Sequence, residues 1–403
     1  MEQALADIRV LELCRDVAGA FAGRLFADFG ADVIKVEPPG GDPTRRAGPF
    51  PQDRPHLERS GLFLHLNRNK RGITLAVEEP SGRALFRRLA ATADVVLESF
   101  GPGRLEAWNL GWEALARDNP RLVLGRLSTW GQTGPYRNYP GGPFEAHAFG
   151  GPFYETGSPD RPPLTKPGEL VACQVGNTFA AAVLGAVYLA RRTGTGQEVD
   201  AAAVEILLAS VDRRAITNFT YQLTGHLPRR VGQPPRGPLP RGIYPCADGW
   251  VDIATVPAWV PRMLATLGDP DLTAYFRDHP QAAYEPATAE RVEPVLHRWL
   301  SARTRRQCFE EAVLRHGWPV YPVQTVADAL EDPHFCARGF FVTVNHPAAG
   351  SLPYPGAPWR MAEGGFAFRR PAPLLGQDNA DVLGGELGLG PEDLARLCAA
   401  GII

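Results

Sequence analysis

The sequence predicts an α/β protein, a mainly parallel sheet covered by helices on both faces, followed by a smaller α+β domain. Two observations carry this. The first 130 residues alternate short apolar runs with amphipathic stretches, and two segments rich in glycine and proline, 131–168 and 225–242, punctuate the rest of the chain.

Ile8 to Leu13 reads as a buried strand, Ala18 to Phe29 as a helix closed by Gly30, and Asp32 to Glu37 as a second strand. Apolar runs at Ile73 to Val77, Asp94 to Leu97 and Arg121 to Leu127 read as further strands. Amphipathic stretches at Ser81 to Ala91 and Arg104 to Asp118 separate them. From Gly131 to Gly168 the chain is too rich in glycine, proline and aromatics for continuous helix or sheet, and a functional loop is expected there. A helix comes next, from about Val175 to Ala190, with Val175, Phe179, Val183 and Val187 on one face. A short strand near Glu198 leads to another helix from about Ala202 to Leu223. The segment GHLPRRVGQPPRGPLPRG reads as a linker or lid, then a hairpin turns at Ala247 to Gly249 and helices run to about Arg315. These signals divide the chain into 1–227, a small domain at 228–322, and a tail at 323–403 made of extended pieces and a terminal helix near Pro391 to Ala400.

At 403 residues, with 44% hydrophobic and 21% charged residues, the composition is that of a globular protein. A formal charge of −2 removes any general attraction to nucleic acid or anionic lipid. The N-terminus shows no leader pattern, and no run of about 18 uninterrupted apolar residues occurs, so no membrane partner and a cytoplasmic location are expected. The six cysteines are dispersed without zinc spacing, so no metal site is expected.

Glycine fingerprints for nucleotides are absent, as are H-E-x-x-H and G-x-S-x-G. Basic residues cluster beside strand ends instead: Arg45 and Arg46, then Arg68, Lys70 and Arg71 in LNRNKRG. Such a cluster suits a ligand with several phosphates, because charge-assisted bonds to phosphate are strong; the alternative is a solvated basic turn.

Nine segments resemble, in order, the successive blocks of the family III (CaiB/BaiF) CoA transferases: VLEL, AGAFAGRLFADFGADVIKVEPPGGDPTR, LNRNKRGITL, VVLESFGPGRLE, NPRLVLGRLSTWGQTGPY, ARRTGTGQEVD, IYPCADGWVDIA, DPHFCARGFF and PLLGQDNADVL. The resemblance implies a Rossmann-like open-sheet domain built from both chain ends, an inserted small domain, and an interlocked dimer. It implies movement of CoA between an acyl-CoA thioester and a carboxylic acid. Coenzyme A would be a substrate, with no permanently bound cofactor. By the same resemblance Val17 and Ala18 approach the pantetheine, and Asn67, Arg68, Asn69, Lys70 and Arg71 fall on the adenine-side loop. Glu98, Ser99, Phe100 and Gly101 match a second ligand block, and Gly131 and Gln132 match the turn facing the thioester.

The family's chemistry needs an aspartate that attacks the thioester and becomes first a mixed anhydride, then an aspartyl-CoA thioester. It lies in a GD-x-x-x-G block, and counting back four from Gly176 lands on Ala172, which has no nucleophilic group. Four readings stay open. Glu169 supplies the carboxylate through a shifted loop; Cys173 reacts by another route; Glu145 with His147 acts as an acid–base pair in an acyl-CoA isomerase, racemase or lyase; or the chain is the nucleophile-free subunit of a two-chain transferase, as in the benzylsuccinate CoA transferases, partnered by an aspartate-bearing homologue. A non-catalytic acyl-CoA-binding homodimer is a further alternative.

Overall fold

The computed structural model describes residues 2–209, 213–227, 229–230, 232 and 237–403. Two compact units form, a large one of Met1–Pro152, Thr165–Leu227 and Ala337–Ile403, and a small one of Phe153–Leu164 and Pro228–Cys336. Of the expected linker or lid at 225–242, residues 228, 231 and 233–236 lie outside the described residues.

In the large unit, β1 (Arg9–Glu12), β2 (Asp32–Glu37), β3 (Arg71–Thr74), β4 (Val95–Glu98), β5 (Val123–Ser128) and β6 (Gln197–Ala202) pair in parallel in the order β3-β2-β1-β4-β5-β6. This is the doubly wound order, and its topological switch falls between β1 and β4. Alternate strand residues face opposite cores, as the pleat requires. Val10, Val33, Val95 and Val123 pack with Phe26, Phe179 and Val183 on one side, while Leu11, Ile34, Val96 and Leu124 pack with Phe86, Leu89 and Leu115 on the other. Val382, Leu383 and Ile402 from the tail complete the second core, and Ala76 donates its amide to the Ile402 carbonyl at 2.8 Å.

The helices that matter for the site are α1 (Val17–Asp28), α2 (Gly61–Asn67), α3 (Pro80–Ala90), α4 (Arg104–Ala107), α5 (Trp112–Asp118), α6 (Pro143–Phe149), α7 (Pro152–Glu155), α8 (Leu170–Thr193) and α9 (Ala203–Ala209). Helix α6 lies inside the stretch expected to be irregular. Its breakers are used at the start: Pro143 occupies the first turn, where its missing N–H costs nothing, and Glu145 accepts the Gly142 amide at 2.9 Å.

Helix α8 buries a face of Val171, Ala172, Val175, Phe179, Val183 and Val187. Two glycines set how closely it packs. A Cβ on Gly125 of β5 would stand 2.8 Å from Val183 and 3.0 Å from Phe179, and one on Gly176 would stand 2.2 Å from the Ala18 carbonyl oxygen. The first turn of α1 and the second turn of α8 therefore meet without a side chain between them. By length and composition α8 is long and apolar enough to cross a membrane. Gln174, Asn177 and Thr178 interrupt it, and half of its most apolar 18-residue stretch is buried within the large unit.

In the small unit, β7 (Arg241–Cys246), β8 (Gly249–Ala254) and β9 (Val320–Pro322) form an antiparallel sheet packed on Met263, Val292, Leu296, Trp299 and Trp318. The expected boundary at 322/323 moves to 336/337. The pairing of β9 with β8 and the Arg305–Asp328 ion pair of 2.8 Å hold the intervening residues to this unit.

The packing around α1 can be tested at two residues. Gly176→Ala forces the second turn of α8 off α1 and should lower stability by about 1–3 kcal/mol, read by urea unfolding; a change under about 0.5 kcal/mol would show that the contact relaxes freely. His65 of α2 accepts a hydrogen bond from Arg24 at 2.6 Å, and burial together with the Arg24 and Arg68 charges pushes its pKa down to about 3. The unfolded chain then binds a proton near pH 6.5 that the folded chain refuses until about pH 3, so this group removes about 1.4 kcal/mol of stability per pH unit as pH falls between those limits. His65→Gln should flatten that part of the stability–pH curve.

Candidate active site at the switch point

The loops leaving β1, β4 and β5 enclose two cavities in the large unit. The larger, of 650 Å³, is lined by Ser99, Phe100, Gly101, Arg104, Trp130 and Arg137 among others. The smaller, of 170 Å³, is lined by Asp16, Ala18, Val171, Ala172, Val175 and Leu207 among others. Both include Ser99, Ser128, Thr129 and Gly141 in their walls. The wide cavity carries two exposed arginines, whereas the narrow one is mostly apolar.

Ala172 occupies the first turn of α8, 3% exposed, and faces the small cavity. The approach of Gly176 to Ala18 puts it there, because Ala172 lies one helical turn before Gly176. Asp16 stands in the same cavity as the N-cap of α1: its Oδ1 accepts the Gly19 amide at 2.8 Å, and the Ser99 hydroxyl hydrogen-bonds to its carboxylate. Burial raises its pKa against the opposing effect of these hydrogen bonds and of Lys35. In the sequence Asp16 signals only a helix start, so its place in the cavity is visible only in three dimensions.

The residues expected to react are not brought together. Glu169 is exposed at the N-cap of α8 and lines neither cavity; its carbonyl accepts the Cys173 amide at 2.9 Å. Cys173 sits one position round the helix from Ala172, and burial pushes its thiol pKa up, which keeps it protonated. Glu145 is exposed and capping α6, whereas His147 of the same helix is buried at 1%. Two residues apart on a helix, they do not face one another.

Among the expected CoA contacts, Ala18 lines the small cavity, Phe100 and Gly101 the large one, and Ser99 both. Val17, Glu98, Gly131 and Gln132 line neither. Glu98 is fully buried, paired with Arg126 at 2.7 Å, and accepts the Phe100 amide at 2.7 Å, so it holds the turn that presents Ser99 and Phe100. Gly131 has φ +89°, and the Gln132 amide donates to Asp200 of β6 at 3.0 Å, which anchors that turn to the sheet.

The basic loop is neither a phosphate cluster nor a solvated turn in this structure. Arg68 is fully buried against Asp28 at 2.7 Å, and Lys70 is fully buried against Glu12 at 2.6 Å and the Asn67 side chain at 2.9 Å. Asn69 donates to Asp28 at 2.9 Å, and Arg71 bridges Asp32, Asp381 and Glu386. Arg45 is likewise buried on Glu37. Asn67 to Arg71 line neither cavity. The exposed cations at the large cavity are Arg104, in the block after β4, and Arg137, in the glycine-rich loop; neither stands out in the sequence, because each is a single arginine outside any basic run.

Known proteins resemble the chain along its length. It is 39% identical over 405 residues to succinyl-CoA–D-citramalate CoA-transferase of Chloroflexus aurantiacus, covering 99% of this chain and 98% of that one. It is 31% identical over 396 residues to subunit BbsE of succinyl-CoA:(R)-benzylsuccinate CoA-transferase of Thauera aromatica, covering 95% and 94%. The crystal structure of a CAIB/BAIF family protein from Brucella suis superposes with a TM-score of 0.83 at 30% identity, covering 96% of this chain and all of that one. With residues 5–379 matching CoA-transferase family III, the chain belongs to that family.

Proposed function

We infer that this chain is the nucleophile-free subunit of a two-chain CoA transferase, binding an acyl-CoA while an aspartate-bearing homologue in an interlocked dimer carries the covalent steps. The observation that carries the reading is Ala172. By the count back from Gly176 it stands at the family's nucleophile position; it lines a cavity at the switch point and offers only a methyl group. Glu169 and Glu145 lie outside that cavity, so neither replaces the missing carboxylate from where it stands. The isomerase, racemase or lyase reading loses support from the separation of Glu145 and His147.

The large cavity suits the nucleotide end of CoA. Arg104 and Arg137 lie where phosphates would need charge, and the small cavity beside Ala172 suits the acyl group. Succinyl-CoA is the donor to try first and hydroxylated dicarboxylic acids the acceptors, following the names of the relatives. The expected site of action is the cytoplasm.

Coexpression with an aspartate-bearing homologue from the same organism should give a stable complex that transfers CoA from succinyl-CoA to such an acid, while this chain alone transfers none. Transfer by the isolated chain would overturn the subunit reading; CoA binding without any complex would favour the binding homodimer. Arg104→Ala and Arg137→Ala should each weaken CoA binding in calorimetry by about tenfold, the loss of one charge-assisted hydrogen bond. Unchanged affinity in both would place the phosphates elsewhere.

A further inference from the structure

A carboxylate remains in the cavity from which the family's aspartate is missing. Asp16 and Ala172 line the same 170 Å³ space, brought together by the contact of Gly176 on α8 with the first turn of α1. Asp16 is held by the Gly19 amide at 2.8 Å and by the Ser99 hydroxyl. A carboxylate pinned by its helix cap cannot easily follow the acyl and CoA groups through successive covalent states, as a free aspartate on α8 would. It can, however, hold a water. Liquid water occupies about 30 Å³ per molecule, so the cavity has room for one beside a thioester carbonyl.

We propose that this chain hydrolyses acyl-CoA thioesters, with Asp16 as general base for a water seated beside Ala172. Asp16 takes a proton from the water as its oxygen bonds to the thioester carbonyl carbon. The carbon–sulfur bond then breaks, and the proton passes from Asp16 to the departing CoA sulfur. One water is consumed, and the free acid and the CoA thiol are released. Burial makes the Asp16 carboxylate a stronger base than an exposed one. Ser128 and Thr129 also line the cavity, where their hydroxyls can donate to the carbonyl oxygen as charge develops on it, while the Ser99 hydroxyl stays on Asp16. The proposal rests on the reading that acyl-CoA occupies these cavities, and it adds water as acceptor where a carboxylic acid cannot be served.

The purified full-length chain is incubated with succinyl-CoA and no acceptor acid, and thiol release is followed. Steady release is expected, unaffected by added carboxylic acids. Asp16→Asn keeps the helix cap, since asparagine caps as well as aspartate, and should lower the rate by about 100-fold or more without moving the thermal midpoint. A single turnover in ¹⁸O-water should place the label in free succinate and none in the protein. Ala172→Asp fills the space beside Asp16 and should suppress the hydrolysis. Release equal in wild type and Asp16→Asn, or no release from a chain that binds CoA in calorimetry, would overturn the proposal. Label or a covalent mass increase on Asp16 would also overturn it, by making Asp16 the nucleophile. Failure to bind CoA would instead remove the reading on which it rests.

Discussion

The contact between Gly176 and the Ala18 carbonyl is the constraint on which the site depends. No side chain fits there, because a Cβ would come within 2.2 Å of a backbone oxygen. One turn back along α8 this contact delivers Ala172, and just before α1 it leaves the Asp16 cap. Gly125 performs the same service on the sheet, letting α8 settle onto β5. The cavity is thus made by absent side chains as much as by those present.

A buried charge network fixes the same junction from the other side of α1. Glu12, the last residue of β1, meets Lys35 at 3.0 Å and Lys70 at 2.6 Å, and Lys35 also meets Asp42 at 2.7 Å. Lys70 further donates to the Ala20 carbonyl within α1 at 2.8 Å. Burial of these ions is costly, and removing any one partner leaves another uncompensated, so the network specifies one arrangement of the loops without necessarily adding net stability. Here lies the reason LNRNKRG misleads. A run of cations along the chain says nothing about the acids that meet them, and Glu12, Asp28 and Glu386 come from three distant segments.

The architecture was legible because it is written in local periodicity: alternation of strand and helix, a four-residue stripe on α8, a hairpin at Ala247 to Gly249. What periodicity cannot show is where breakers are put to use. Pro143 looked like an interruption and is instead a helix start. The small unit extends past Pro322 because long-range pairs, not composition, decide where a unit ends. At the site, Ala172 could be picked out as a cavity residue by counting from Gly176, since the spacing is a helical turn. Asp16, Arg104 and Arg137 could not, because their meaning depends on which loops share a cavity.

Ala172 and Asp16 are best understood together. Two carboxylates in one small, largely apolar space repel, and one of them would be driven toward its neutral acid, useless as a nucleophile or base at neutral pH. In this chain the 170 Å³ cavity at the switch point is lined by one carboxylate, the cap of α1. The methyl of Ala172 keeps a second carboxylate out of that space. An aspartate at position 172 would set two acids against each other across the contact that created the site.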